Sequence, residues 1–330
     1  MTFFVYEKGQ KNACWACGSL AVIGWGKRNG KQRFRCQSCG MMFTRTNPEV
    51  ALKNQFVWFE KWVSERQVYK YLVRDSGLSQ SSIQRLFRHY LKQAPEVAIK
   101  SKYKAHLLID ATYFPNDLCL VIYYDHDIRY TQLYRISDQE RYEQIREDLQ
   151  NLRVLGVDIA SITCDGHKAL LKAIRKVYPK VPLQRCLVHI KRQSKTWLTR
   201  SPKAPVAREL LHLSKRITDL QTYDQCNQWL ADLYHWYERS KIYVNEKAFN
   251  PDTGRYWCRH KMLHQTTSLI IKAIPDMFHY LDDPEIPNTT NRLEAFFTHL
   301  KEKLEIHRGL RPQAKRNFIK WYLHFKNNGL

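Results

Sequence analysis

Four of the nine cysteines in this 330-residue chain form two closely spaced pairs, and their spacing strongly constrains how the N-terminal region can fold. The pairs are Cys14-Trp-Ala-Cys17 and Cys36-Gln-Ser-Cys39, with 18 residues between them. This spacing is typical of a zinc ribbon, in which four thiolates hold one structural zinc ion and leave no coordination position open. The alternative is a redox-active dithiol, which needs only one such pair. We therefore expect a zinc ribbon over residues 1–46.

The second predicted module, residues 47–104, contains two short helices separated by a turn at Gly77, with Ser79 as a suitable N-cap for the second helix. The pattern is typical of a helix-turn-helix DNA-binding motif, although an ordinary helical hairpin has the same pattern. The expected shared core is Val68, Leu72, Leu78, Ile83 and Leu86. The residues expected to face the DNA major groove are Gln80, Gln84, Arg85 and Arg88.

Charge is distributed unevenly along the chain, which has a formal net charge of +23. Residues 1–105 carry 19 basic and 6 acidic side chains, residues 106–190 carry 11 of each, and residues 191–330 carry 24 and 14. Two basic flanks around a neutral middle favour a polyanion such as DNA as the partner. A membrane surface is the competing partner, but no concentrated Lys/Arg run beside a Trp/Leu-rich face argues for it, and no stretch approaches the 18 consecutive apolar residues of a membrane span. The odd number of cysteines and the lack of an apolar leader favour a cytoplasmic protein.

Residues 105–190 alternate between buried strands and helices in the order β-β-β-α-β-α-β. Three meandering strands followed by two helix–strand units match a ribonuclease-H-like arrangement, whereas alternation alone would support only a generic mixed α/β domain. Asp110 interrupts the first strand and Asp165 ends the fourth. A carboxylate in an apolar strand is costly unless it is paired or binds a cation. The two aspartates therefore predict an oxygen-ligand site for Mg²⁺ or Mn²⁺.

The segment from 191 to 286 is predicted to be an all-helical insertion before the chain returns to the core. Its tryptophans Trp229, Trp236 and Trp257 are expected in the insertion core. The alternative is that one of them stacks on an unpaired base of a DNA end.

The last segment, 287–330, combines a helix that carries Glu294 with a basic tail. Glu294 follows a potential cap and lies beside apolar residues, so we expect it to face the core, whereas its rival Glu285 lies in a proline-containing loop. Arg308 and Arg311 of the tail are expected to contact DNA phosphates, although the tail could equally be a plain amphipathic closing helix.

Four segments together resemble the DDE transposases of the Mutator-like superfamily, including its bacterial insertion-sequence branch. The resemblance covers roughly residues 104–326 and depends on the combination, since no single segment is specific. The segments are LLIDATYF around Asp110, SITCDGHKAL around Asp165, Cys186-Leu-Val-His189 and Asn288-Thr-Thr-Asn-Arg-Leu-Glu294. The ribbon and helix-turn-helix depart from the commonest all-helical front end of this superfamily and look more like those of its short bacterial elements.

The resemblance implies a ribonuclease-H-like core with a helical insertion and a metal-binding triad of Asp110, Asp165 and Glu294. Two Mg²⁺ or Mn²⁺ ions would be bound there. It also matches Cys186 and His189 to the C/DxxH motif of the superfamily, in which the histidine would contact the scissile phosphate or orient a carboxylate. Two alternatives are a purely structural role for both residues and a second zinc site that includes His167 or Cys164.

The resemblance therefore implies a transposase that binds the terminal inverted repeats of its element and catalyses metal-dependent strand cleavage and transfer. Its expected partners are double-stranded transposon ends and target DNA, and it would act as a homodimer or larger synaptic assembly on the bacterial nucleoid. Two alternatives are a zinc-ribbon DNA-binding regulator with an inactive core and a ribonuclease-H-like nuclease or resolvase. The regulator would be expected to lack part of the triad, and the nuclease rarely needs two DNA-reading modules.

Overall fold

The computed structural model describes residues 13–14, 16–44, 48–65, 67–115 and 118–329. The chain divides into two compact units, Met1–Gln93 and Ala94–Leu330. In the described ranges, no helix combines the length and the apolar character that a bilayer crossing requires.

The first unit begins with a three-stranded antiparallel sheet that carries the paired cysteines. Its strands are β1 (Val22–Arg28), β2 (Lys31–Cys36) and β3 (Met42–Thr44), arranged in that order. The N–H group of Gly18 donates to the carbonyl of Cys14, and that of Gly40 donates to the carbonyl of Cys36. Each cysteine pair is thereby folded into a tight turn that directs its two sulfur atoms to the same place.

Three helices complete the first unit: α1 (Pro48–Ser64), α2 (Tyr69–Ser76) and α3 (Gln80–Tyr90). Gly77 ends α2 in a left-handed conformation with φ of 66°, which glycine adopts without steric cost. The Ser79 side chain caps α3 by accepting a hydrogen bond from the N–H of Ser82 at 3.2 Å, as predicted.

The hydrophobic core of these helices contains four of the five predicted residues and excludes Val68. Leu72, Ile83 and Leu86 are buried as expected, and Leu78 is partly buried. Val68 is exposed, however, because it stands at the N-cap of α2, outside the helix. Its expected place in the core is taken by aromatic side chains of α1, which pack on Phe87 of α3; these are Phe59 and Trp62.

The second unit contains a mixed five-stranded sheet in the order β6-β5-β4-β7-β8. β4, β5 and β6 pair antiparallel in chain order, β7 pairs parallel with β4, and β8 pairs parallel with β7. Helices α4 (Tyr142–Val154) and α5 (Lys168–Val177) connect the later strands. The strands are β4 (Lys102–Phe114), β5 (Leu118–Asp125), β6 (Tyr130–Ser137), β7 (Val157–Cys164) and β8 (Leu183–Arg185). The predicted order β-β-β-α-β-α-β is present.

The central strand β4 separates two environments. Leu107 and Ile109 pack with α4 and α5 in one hydrophobic core. Because side chains alternate across a strand, Leu108 and Asp110 point to the opposite face. There β4 is contacted by α11 (Asn291–Ile306), and β6 is contacted by the last helix, α12 (Pro312–Asn327).

The insertion between β8 and α11 is mainly helical but contains a β-hairpin, so the all-helical prediction is wrong at this place. Five helices share one hydrophobic core: α6 (Leu187–Leu198), α7 (Pro205–Arg216), α8 (Tyr223–Val244), α9 (Lys261–Ala273) and α10 (His279–Asp282). Between α8 and α9, β9 (Lys247–Asn250) pairs with β10 (Arg255–Cys258). The turn at Gly254 reverses the chain, and Phe249 and Tyr256 form a cross-strand aromatic pair that favours strands over a helix.

Two of the three tryptophans predicted in the insertion core are buried there. Trp229 and Trp236 are almost completely inaccessible, and their indole N–H groups donate to the carbonyls of Leu213 and Val206. Trp257 is 53% exposed on the hairpin, so its predicted place in the core is wrong. Of the three, it is the one accessible enough to stack on a nucleic-acid base.

Replacement of Trp229 by alanine should destabilise the protein by about 3–5 kcal/mol, because it leaves a large cavity and an unpaired carbonyl. Trp257→Ala is the matched control and should change stability by less than about 1 kcal/mol, since this side chain is largely solvated. Denaturant unfolding of both variants measures the difference. Equal losses of unfolding free energy would contradict the assignment of the insertion core.

Candidate active site and zinc centre

The four paired cysteines converge at the edge of the N-terminal sheet, and their sulfur atoms all lie within 4.8 Å of one another. Cys14 and Cys36 are buried, and Cys17 and Cys39 are exposed. Backbone N–H groups, that of Cys39 foremost, lower the pKa of the Cys36 thiol to about 6. A thiolate donor set of this kind suits one tetrahedral structural zinc ion.

Asp110 and Asp165 are neighbours at the centre of the five-stranded sheet. The register pairs Ile109 of β4 with Cys164 of β7, and the residue that follows each of them is an aspartate. One Asp110 oxygen accepts a hydrogen bond from the N–H of Ala111 at 2.8 Å, and one Asp165 oxygen accepts from the N–H of His167 at 2.9 Å. Burial raises the pKa of Asp110 to about 7, and the nearby Asp165 adds to this effect.

Cys186 and His189 lie at the start of α6, beside the buried Thr290. The Thr290 hydroxyl is 3.4 Å from each of three atoms: an Asp110 carboxylate oxygen, the Cys186 sulfur and the His189 Nδ1. Burial disfavours the charged form of His189, but its interactions with Cys186 and Asp110 outweigh burial and raise its pKa to about 9. Hydrogen bonds and charge from His189 and Thr290 likewise outweigh burial at Cys186 and lower its pKa.

Glu294 reaches the same place from the first turn of α11. Its Oε1 lies 3.6 Å from Nε2 of His189, and its Oε2 forms an ion pair with Arg192. Oε1 is buried and has no hydrogen-bond partner among the described residues. Glu294 is therefore turned towards His189 and Arg192, and its Oε1 could accept a further hydrogen bond or bind a metal ion.

These residues provide a suitable donor set for a divalent cation. Asp110, Asp165 and Glu294 supply carboxylate oxygens, which Mg²⁺ and Mn²⁺ prefer, and the buried Oε1 of Glu294 accepts no hydrogen bond from the described residues. Unlike the four cysteine sulfur atoms, the carboxylate oxygens of this triad do not all lie within 4.8 Å of one another in the described part of the chain. The Glu294 carboxylate pairs instead with Arg192 and His189.

Sequence reasoning missed three contributors to this site. Thr290 is the N-cap residue of α11, yet it makes no side-chain capping bond and its hydroxyl contacts Asp110. Arg192 lies one turn after His189 on α6, a spacing that could have indicated it. Glu140 is a fourth acidic group whose pKa is raised by burial, and the charge of Asp165 contributes to the shift. Nothing in its local sequence indicates this position.

The residues predicted to bind DNA lie on exposed surfaces in their respective units. Arg85, Arg88 and Gln80 are exposed on α3, and Gln84 is partly buried. In the second unit, Arg311 is exposed at the N-cap of α12. Arg308 lines a cavity of about 510 Å³ next to the end of β4. The cations and aromatics that share this cavity include Tyr113, Phe114, Lys301 and Lys315.

Comparisons with known proteins give one family match. Residues 131–250 match the family described as Transposase, Mutator family. We found no match among curated proteins. Among solved structures, the chain is similar to one described as "CryoEM structure of simian T-cell lymphotropic virus intasome in complex with PP2A regulatory subunit B56 gamma", with 13% identity over 64% of this chain and 74% of that chain. The TM-score is 0.20, and this likeness supports no inference.

Substitution of Cys36 by serine should remove the zinc ion and unfold the N-terminal ribbon, because a structural zinc site contributes folding free energy directly. Cys226→Ser is the control, since Cys226 is a buried cysteine of α8 outside the cluster. Metal analysis of the purified variants should find one zinc per chain in the control and none in Cys36→Ser. Full zinc content in Cys36→Ser would contradict the four-cysteine site.

Metal-free protein should lose stability as the pH rises from about 4 to about 7. In this window the folded state holds a proton on Asp110 that the unfolded state has released, so the free energy of unfolding falls with pH. The raised pKa of His189 gives a stabilising contribution that is lost only as the pH rises through about 9.

Asp110→Asn should therefore flatten the pH 4–7 slope and raise the melting temperature at pH 8, by on the order of 5 °C. Asp158→Asn, which removes an exposed carboxylate of β7, serves as the control and should keep the wild-type slope. Thermal unfolding in the presence of a chelator at several pH values measures both. An unchanged slope in Asp110→Asn would show that burial of this carboxylate carries no pH-dependent cost.

Proposed function

We propose that the chain is a transposase similar to those of the Mutator family, whose model matches its residues 131–250, and that it cuts and joins DNA strands at the ends of its own element in a divalent-metal-dependent reaction. The observation that carries the proposal is the grouping of three carboxylates from distant parts of the chain. Asp110 comes from β4, Asp165 from the end of β7 and Glu294 from α11. Asp110 contacts Thr290, Glu294 approaches His189, and Asp165 lies beside Asp110. An inactive core would have no need for this arrangement.

The proposed core is ribonuclease-H-like. Support comes from the strand order, in which an antiparallel meander is extended on the β4 side by two parallel strands. The carboxyl end of β7 places Asp165 beside Asp110, and parallel α/β sheets commonly bind their ligands at this edge. In the sequence, the insertion with its own hydrophobic core separates β8 from α11, the helix that brings Glu294 to the site.

Each residue of the site has a distinct proposed role. Divalent ions bound to the triad would activate the attacking oxygen and stabilise the leaving oxygen of the phosphodiester. His189, whose pKa of about 9 makes it cationic at neutral pH, would hold a phosphate oxygen or keep Glu294 in position. Thr290 fixes the His189 ring relative to Asp110 through its hydroxyl. Arg192 neutralises Glu294 until a metal ion competes for that carboxylate.

DNA would be held by the basic flanks of the chain. The exposed Arg85 and Arg88 of α3 suit contacts in the major groove, and the ribbon adds further positive charge. In the second unit, the cavity at Phe114 is bordered by Lys301 and Lys315, whose ammonium groups lie 5.8 and 5.3 Å from the ring centroid. Cations around an aromatic ring near the triad would suit the phosphates and bases of a bound strand.

Glu294→Gln should retain DNA binding and lose strand cleavage and strand transfer by at least about 10²-fold, because it removes a metal-binding charge while hardly changing the side-chain volume. Glu302→Gln is the matched control on the same helix, because this carboxylate faces His299 rather than the triad. A strand-transfer assay with end and target DNA in Mg²⁺ or Mn²⁺ measures both. Joining activity in Glu294→Gln would refute the triad, and equal losses in both variants would point to a general defect of α11.

Arg85→Ala should reduce the preference for the element's end over random DNA by about 1–3 kcal/mol, whereas Arg311→Ala should weaken binding to all sequences alike. The reason is that a base contact discriminates between sequences and a phosphate contact does not. Binding measured over a range of salt concentrations should show a shallower salt dependence for Arg311→Ala. The same loss from both variants on both DNAs would contradict the assignment of α3 as a reading helix.

A further inference from the structure

A second group of potential metal ligands lies on the same face of β4 as Asp110, four residues closer to the start of the strand. It consists of His106 of β4 and two carboxylates from the loop between α10 and α11, Asp283 and Glu285. Their ligand atoms all lie within 4.8 Å of one another. Apart from the cysteine cluster, this is the one group in the described residues that meets this distance criterion.

His106 is the buried element of the group, with a relative exposure of 4%. Its Nδ1 is 2.8 Å from the hydroxyl of the fully buried Ser161 on β7, so the orientation of the ring is fixed. Its Nε2 points to the loop and lies 3.7 Å from a Glu285 oxygen, beyond hydrogen-bond distance. No hydrogen bond to Nε2 exists among the described residues. A buried imidazole held from one side and open on the other is the usual arrangement of a metal-binding histidine.

The loop presents its two carboxylates to this nitrogen. Asp283 accepts a hydrogen bond from the N–H of Glu285 at 3.0 Å, which bends the loop so that both side chains reach the same place. Glu285 is largely exposed, with 79% of its side chain accessible, and its contact with the strand is the 3.7 Å approach to Nε2 of His106. Glu285 also lines a cavity of about 600 Å³, which gives solvent access to the group.

We propose that His106, Asp283 and Glu285 bind a divalent transition-metal ion such as Mn²⁺ or Zn²⁺, separate from both the cysteine site and the triad. One imidazole nitrogen and two carboxylate oxygens favour these ions over Mg²⁺, which prefers oxygen ligands alone. Bond lengths of about 2.0–2.2 Å require the ligand atoms to approach by only a small movement of the loop. Three protein ligands leave further coordination positions to water from the cavity.

The bound ion would fasten the loop that leads to Thr290 and Glu294. The next residues of the same loop are already attached to β7 and to the start of α6, because the carbonyl of Pro287 accepts from the Thr163 hydroxyl and that of Asn288 accepts from the N–H of Leu187. A metal link at His106 would extend this attachment to the point where the chain leaves the insertion. The site is thus a structural clamp that acts on the position of the triad glutamate without contacting substrate.

The proposal is tested by counting bound Mn²⁺ ions in the full-length protein, purified with zinc so that the cysteine cluster is already occupied. The Asp110→Asn background removes the triad as a competing Mn²⁺ site, so that one Mn²⁺ per chain should remain. Addition of Asp283→Asn and Glu285→Gln should abolish that remaining ion, as measured by electron paramagnetic resonance of free and bound Mn²⁺. The matched control adds Asp282→Asn instead, which removes the carboxylate at the end of α10 that is bonded to Tyr223 rather than facing His106.

Pulsed electron paramagnetic resonance gives a second readout that does not require a ligand to be removed. In the Asp110→Asn protein the remaining Mn²⁺ should couple to an imidazole nitrogen, and His106→Asn should eliminate that coupling. The site is refuted if the Asp283→Asn, Glu285→Gln protein retains its Mn²⁺, if Asp282→Asn removes the ion equally, or if the bound ion has no nitrogen coupling. Because none of these measurements uses DNA, failure of the proposed transposase activity would leave them unaffected.

Discussion

The parallel pairing of β4 with β7 is the constraint on which the candidate active site depends. It aligns Ile109 with Cys164 and so places Asp110 and Asp165 side by side at the point where β7 ends. The opposite face of β4 is covered by the helices that pack on Leu107 and Ile109, so the aspartates can only face α11. Later in the chain, α6 and α11 both begin at this edge of the sheet, where His189 and Thr290 lie beside Asp110.

The cost of burying charge explains the composition of the site. Asp110 is 6% exposed, and burial raises its pKa to about 7, so an uncompensated carboxylate would be expensive there. The protein places the cationic His189 close to Asp110 and pairs Arg192 with Glu294. Both pairs reduce the repulsion between carboxylates in the absence of a cation. In the proposed reaction, a bound divalent ion would compete with these cationic partners for the carboxylates.

The N-terminal three-stranded sheet, the predicted ribbon, has only a small hydrophobic core to stabilise it. Its buried cluster in the described residues consists of Cys14, Cys36 and Phe43, with Val22 and Phe34 packed against it. A core of this size cannot offset the entropy of ordering three strands, and small domains of this kind generally depend on metal or disulfide bonds. The cysteine cluster is therefore needed for the ribbon to fold, whereas the second unit has two large hydrophobic cores of its own.

Local patterns in the sequence were sufficient for features that depend on neighbouring residues. The cysteine spacing predicted the cluster, Ser79 predicted its own capping bond, and apolar runs predicted the strands that carry Asp110 and Asp165. The hairpin of the insertion was missed although its turn and aromatics were visible, because the helical periodicity of the flanking segments outweighed four-residue strands.

Contacts between distant segments were decided only by the tertiary structure. Thr290 looks like a helix cap in sequence, yet its hydroxyl lies against Asp110, 180 residues earlier. Glu285 looks like a loop acid, but the loop carries it to His106 on the central strand. Capping and strand formation are set within a few residues of chain, whereas the partner of a buried polar group is whatever the packed sheet and helices place next to it.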